Sequence, residues 1–176
     1  MVSVYDQAKG RVSIYTVFSN HKEYLRRLFL NNALANGQYR VDDRPVAISN
    51  IHVPIFAVAT EQDHVAPWRS VYKIHLQADT EVTFLLTSGG HNAGVVNEPG
   101  HPHRRYRVAT KTDSQPYLDP DAWLERTPVN AGSWWPEWRA WLAKRSTGAA
   151  PPPPLGNPDK GYVPLENAPG SYVLQP

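Results

Sequence analysis

The chain has 176 residues with six tryptophans, a formal net charge of +2 at pH 7 and no cysteine. That length suits one domain with a modest core, and lysines and arginines scattered among acids are not the clustered basic face of a nucleic-acid binder. The absence of cysteine excludes disulfides, zinc–thiolate sites and a thiol nucleophile within the chain. No run of about 18 apolar residues marks a transmembrane helix. The first residues also lack the charged-then-apolar pattern of a secretory signal, so a soluble cytoplasmic protein is expected.

Residues 1–20 read as two short strands around a turn at Lys9-Gly10, with Val2, Val4, Val12, Ile14, Val17 and Phe18 supplying β-forming character. Asn20 and Glu23 stand at capping-box spacing. Tyr24, Leu25, Leu28, Phe29 and Leu34 then recur at helical intervals up to Gly37, a helix-stop residue. Arg40–Ile48 reads as an extended connection. Val53–Thr60 is almost wholly apolar, as expected for a parallel strand covered on both faces. A polar loop, Glu61-Gln-Asp-His64, follows, and Pro67 suits the first position of a helix carrying Trp68, Val71, Tyr72 and Ile74. Thr80–Thr87 is a second strand, closed by the glycine-rich turn Ser88-Gly-Gly-His91.

Downstream, Asp119-Pro-Asp-Ala-Trp123 has the form of a capped helix start. Pro136 opens a further helix in which Trp138, Trp141 and Leu142 follow helical spacing. The last thirty residues, with Pro151–Pro154, are expected to form an extended tail. No internal repeat is visible.

The informative order is strand, acid, helix, strand, glycine turn, histidine. In open parallel α/β sheets, functional groups lie beyond the carboxyl ends of strands. Asp63 and His91, 28 residues apart, are spaced for a helical crossover between adjacent parallel strands. An Asp beside a His nitrogen fixes the imidazole tautomer. The His then serves as general base and acid. A nucleophile on a Gly-x-nucleophile-x-Gly elbow should precede both. Gly90-His-Asn-Ala-Gly94 has the glycines but no nucleophile, and no serine stands in such a frame. The alternative reading keeps Asp63 as a cap for the helix near Pro67 and His91 as an ordinary loop residue.

At these residues the chain resembles the C-terminal region of class I polyhydroxyalkanoate synthases. Asp63-His-Val-Ala-Pro-Trp-Arg-Ser-Val-Tyr-Lys73 is similar to their acid-loop motif, and Ser88-Gly-Gly-His-Asn-Ala-Gly-Val-Val-Asn97 to their catalytic-histidine motif. Gly132-Ser-Trp-Trp-Pro-Glu-Trp138, Leu165-Glu-Asn-Ala-Pro-Gly-Ser-Tyr-Val173 and, near the start, Tyr24-Leu-Arg-Arg-Leu-Phe-Leu-Asn-Asn32 match too. The resemblance implies the C-terminal part of an α/β-hydrolase fold: last parallel strands and helices, the end of a cap and a Pro-rich tail. The implied divisions are a non-family segment at 1–20, cap end and connection at 21–50, catalytic-domain part at 51–146 and tail at 147–176. It implies polymerisation of (R)-3-hydroxyacyl-CoA into polyester with release of CoA, through a thioester on a cysteine, and no cofactor. Asp63 and His91 take the places of the family's acid and base, while the cysteine is missing.

The expected state is therefore a truncated gene product or one half of a split synthase, inactive alone. Its partners would be a full-length synthase or an N-terminal fragment. A non-catalytic module binding a synthase or the storage-granule surface is the competing class.

His64, Trp68 and Asn97 are candidates for supporting or substrate-binding roles; structural roles are the competing reading for His64 and Asn97. His101 and His103 with His91 lack the carboxylate or thiolate spacing of a metal site. Trp134, Trp135, Trp138 and Trp141 read first as core packing. Arg104, Arg105 and Arg107 read first as surface charge, with CoA phosphates as the sharper alternative.

Overall fold

The computed structural model describes residues 23–175, together with the backbone of the two-residue strands β1 (Tyr5–Asp6) and β2 (Arg11–Val12), which pair antiparallel. The expected turn at Lys9-Gly10, the strand residues Val2, Val4, Ile14, Val17 and Phe18 and the cap Asn20 lie outside the described residues. Two compact units are distinguished, Met1–Trp138 and Arg139–Pro176.

In the first unit, helix α1 (Tyr24–Leu30) is wound in the wide π form. It is much shorter than the expected run to Gly37. Asn31 caps it, and Asn32 takes a left-handed backbone (φ 47) that breaks the helix before Leu34. Its apolar side chains are not packed: Phe29 is 75% and Leu30 72% exposed. The expected extended connection is a hairpin, β3 (Tyr39–Val41) with β4 (Arg44–Val46). Asp42 and Asp43 both have positive φ, the pattern of a two-residue type I′ turn.

The main sheet has four strands in the order β5 (Ile55–Thr60), β6 (Val82–Thr87), β7 (Arg105–Lys111) and β8 (Asn130–Ala131). β5 and β6 run parallel with Ile55 opposite Val82 and Thr60 opposite Thr87. Two short helices, α2 (Trp68–Val71) and α3 (Ile74–Gln77), make the crossover. β7 and β8 are antiparallel to their neighbours, so the sheet is mixed rather than a continuation of parallel strands. In the basic stretch expected on the surface, Arg105 is exposed as expected and Arg107 is half-buried; both belong to β7, with Tyr106 and Val108 at packed positions beside them.

β6 is central and buried throughout. Phe84 and Leu86 face a core made with Ala59, Trp68, Tyr72 and Trp123, while Leu85 faces the other way onto Tyr106 and Trp134. The aromatic rings meet mostly edge-on, Phe84 with Tyr72 at 5.0 Å and with Trp123 at 5.1 Å between centroids, the geometry favoured by ring quadrupoles. Trp123 comes from α4 (Pro120–Arg126), whose cap Asp119 accepts from the Asp121 and Ala122 amides, as its sequence predicts. β5 is different. Most of it is only half-buried, and its outer edge pairs with no strand among the described residues.

Helix α5 (Trp135–Ala143) begins one residue before Pro136. In the second unit, the Arg145 guanidinium lies 4.1 Å over the Trp141 ring. The Pro-rich stretch from 147 is exposed, with single 3₁₀ turns at Pro158–Lys160 and Tyr172–Leu174. The Glu166 carboxylate holds the last turn by accepting from both the amide and hydroxyl of Ser171, each at 2.9 Å.

Candidate active site

The parallel pair β5–β6 places Asp63 and His91 at the same sheet end. The ladder does not stop with the strands: Glu61 N–H donates to the Thr87 carbonyl at 2.9 Å and Gln62 N–H to the Gly89 carbonyl at 3.0 Å. The acid loop and the histidine turn are thus stitched backbone to backbone.

Asp63 uses both carboxylate oxygens. Oδ1 accepts from the amides of Val65 and Ala66, each at 2.8 Å, an Asx-type turn that leads the chain into Pro67 and α2. Oδ2 meets His91 Nδ1 at 2.8 Å. The two alternatives open in the sequence are therefore combined in one carboxylate: it shapes the turn ahead of the helix and it holds the histidine. The Ala66 amide, opposed by desolvation and assisted by His91 and the Val65 amide, lowers the Asp63 pKa to about 2. At neutral pH this carboxylate has no proton to give, so His91 Nδ1 is the donor. In the neutral form of the ring the lone pair is then on Nε2. The Asp63 side chain is 9% exposed and that of His91 47%, an inward carboxylate holding an accessible imidazole.

The turn that carries His91 depends on close backbone approach. Gly89 has φ 106, and a Cβ there would lie 3.0 Å from an Arg104 guanidinium nitrogen. A Cβ on Gly94 would lie 2.5 Å from Thr60 Cγ2 and 2.9 Å from Thr60 Cβ, so only glycine lets the turn rest directly on the end of β5. Asn97 closes the loop fully buried, its amide donating to Thr87 Oγ1 at 3.3 Å.

Of the other residues singled out, His64 is exposed beside the pair, and Trp68 lies in the hydrophobic core at 8% exposure with Arg69 stacked on its ring. His101 pairs with Glu98 at 2.8 Å. Arg105 pairs with Glu61 at 2.7 Å, bridging β7 to the acid loop, and Arg107 donates to the Thr127 carbonyl. Among the described residues, no three His, Asp or Glu side chains are grouped to hold a metal ion. Ser133, Trp134 and Trp135 reach the histidine loop, which the reading of the two tryptophans as core packing did not foresee. Trp134 is buried as that reading expects, but its indole N–H points at a loop carbonyl.

The fold and site define an α/β chain with a mixed sheet, bearing an Asp–His pair at adjacent strand ends and no cysteine of its own. In sequence, the chain is homologous to the poly(3-hydroxyalkanoate) polymerases. It is 36% identical over 155 residues to the poly(3-hydroxyalkanoate) polymerase subunit PhaC of Rhizobium meliloti (strain 1021), covering 88% of this chain and 24% of that protein. It is 36% identical over 156 residues to the poly(3-hydroxyalkanoate) polymerase of Methylorubrum extorquens, covering 88% and 25%. Against the PhaC subunit of Cupriavidus necator it is 35% identical over 151 residues, covering 85% and 25%. The chain thus spans about a quarter of the length of these relatives. No protein-family profile matches it. Among the described residues no helix is long and apolar enough to cross a membrane.

Proposed function

We propose that this chain is a C-terminal, α/β-hydrolase-type portion of a polyhydroxyalkanoate synthase and supplies the acid–base half of its acyl-transfer site. The observation that carries the reading is the 2.8 Å contact between Asp63 and His91 Nδ1. It lies at the end of two adjacent parallel strands, within a sequence homologous to the polymerases. The acyl donor is a (R)-3-hydroxyacyl-CoA, and the thiol comes from a segment outside these 176 residues, which contain no cysteine.

In this reading His91 Nε2 takes the proton of that thiol. The thiolate attacks the acyl-CoA carbonyl, a thioester forms on the enzyme, and the departing CoA sulfur receives the proton from the imidazolium. In the elongation step the same base removes the proton of a 3-hydroxyl group. An ester bond forms as the thioester breaks, returning the enzyme thiol. Asp63 keeps Nδ1 protonated and stabilises the imidazolium of each half-reaction. The location that goes with this chemistry is the cytoplasmic surface of a storage granule.

The test combines the purified chain with a separately produced N-terminal polymerase fragment bearing the thiol and measures CoA release from 3-hydroxybutyryl-CoA. Release is expected from the mixture and not from either part. His91→Ala should reduce it by about 10⁴-fold or more, and Asp63→Asn by about 10⁴-fold. A proven complex that releases no CoA, or a His91→Ala variant that releases it normally, refutes the reading.

A second reading, a non-catalytic module that docks on a synthase or granule, draws on the outer edge of β5, unpaired among the described residues, and on the exposed Phe29 and Leu30. It predicts that His91→Ala co-sediments with granules as the parent chain does, and absence of co-sedimentation counts against it.

A further inference from the structure

The histidine loop is also held by three consecutive residues, Ser133, Trp134 and Trp135, which follow β8 and run into the first residue of α5. The Trp134 indole N–H donates to the Gly94 carbonyl at 3.2 Å, and the Trp135 indole N–H to the Val95 carbonyl at 3.0 Å. The Ser133 hydroxyl donates to the Asn97 carbonyl and accepts from the Trp135 backbone amide at 3.1 Å. Each donor meets a different main-chain oxygen of the segment that follows His91.

These contacts are built into the fold. Ser133 is 8% and Trp134 5% exposed, and the Trp134 ring packs with Leu85 and Tyr106 in the core behind β6. Gly132, with φ 96 and its amide donating to the Arg104 carbonyl at 2.7 Å, turns the chain so that the next three residues face the loop. Gly94 also rests against Thr60, three residues before Asp63. The loop therefore meets both the strand end that leads to the acid and a pair of indoles.

We propose that Ser133, Trp134 and Trp135 are positioning residues for the base: they fix the Gly94–Asn97 segment so that the His91 ring is held at Asp63. Two indole donors aimed at adjacent carbonyls are more than a core requires, because apolar side chains of similar size fill space without ordering a loop backbone. The proposal rests on the reading of His91 as the general base.

The test is made on the 176-residue chain by NMR, following the exchange rate of the His91 Nδ1 proton with water. Trp135→Phe keeps a half-buried aromatic ring and removes the indole donor together with part of the ring system. Ser133→Ala removes the hydroxyl and Ser133→Thr restores it. Trp138→Phe, on the exposed side of α5, is the control. Trp135→Phe and Ser133→Ala should each raise the exchange rate about tenfold, the equivalent of one lost hydrogen bond. Ser133→Thr and Trp138→Phe should stay at the parent rate.

The Leu85 amide, in the middle of β6, reports global opening. An equal acceleration there would show a merely structural role and overturn the proposal, as would parent-like His91 exchange in Trp135→Phe. Trp135→Phe decides the matter if Ser133→Ala does not fold. Because this readout needs no catalysis, its failure leaves the acyl-transfer reading standing. Failure of the His91→Ala activity test sinks that reading without altering the exchange result.

Discussion

His75 makes the stability of this chain depend on pH in a calculable way. Its side chain, from α3, is 7% exposed and wedged against Tyr72 and Phe84, with ring centroids 4.6 and 5.9 Å away. Neither ring nitrogen has a hydrogen-bond partner among the described residues. Burial, reinforced by the charge of Lys111, lowers its pKa from 6.5 to about 4. The folded chain keeps this imidazole neutral over a range in which the unfolded chain protonates it. Stability is therefore full above about pH 6.5 and declines as pH falls toward 4. The difference corresponds to roughly 3 kcal/mol at pH values below both. His75→Leu, apolar and of similar bulk, removes the titration. Urea unfolding of both proteins at intervals from pH 7.5 to 4 should show the variant gaining on the parent by up to about 1.4 kcal/mol per pH unit below 6.5. All other groups are common to both chains and cancel in the difference. Parallel stability profiles across that range would refute the argument.

Gly94→Ala forces a methyl group into Thr60. It should cost about 1–3 kcal/mol in denaturant unfolding and, by lifting the turn off β5, also release the His91 contact, seen as loss of its Nδ1 proton resonance. Asp63, ordinarily near 3.8 and here at about 2, contributes stability that is present above pH 4 and lost as pH falls through 2. Asp63→Asn should therefore lack this acid limb when unfolding is followed between pH 5 and 2.

Much of the candidate site's geometry was legible because Asp63 and His91 stand next to strong local signals. The apolar runs ending at Thr60 and Thr87 mark strands whatever their partners, and the acid and histidine follow each immediately. Asp119 announces its helix through side-chain capping that needs only nearby residues. What stayed hidden depends on tertiary context. β7 begins Arg105-Tyr-Arg, a basic stretch whose strand character comes from pairing along β6 and from the salt bridge of Arg105 to Glu61. The hairpin turn at Asp42-Asp43 lacks the glycine that usually signals positive φ. Helical spacing through Leu34 could not reveal that Asn32 would turn left-handed. The tryptophans were read by their bulk, whereas two of them act through their N–H groups.

The two amides that carry the β5–β6 ladder past its strands, those of Glu61 and Gln62, give Asp63 and His91 a common fate in time. Local opening of a protein proceeds in cooperative segments, and hydrogen-bonded neighbours tend to leave and return together. Fraying at this end of the sheet loosens the carboxylate loop and the imidazole turn in one event, so the pair is gained and lost as a unit. A partner segment that stiffens the end of β5 would raise the fraction of molecules with both groups poised, without touching either side chain.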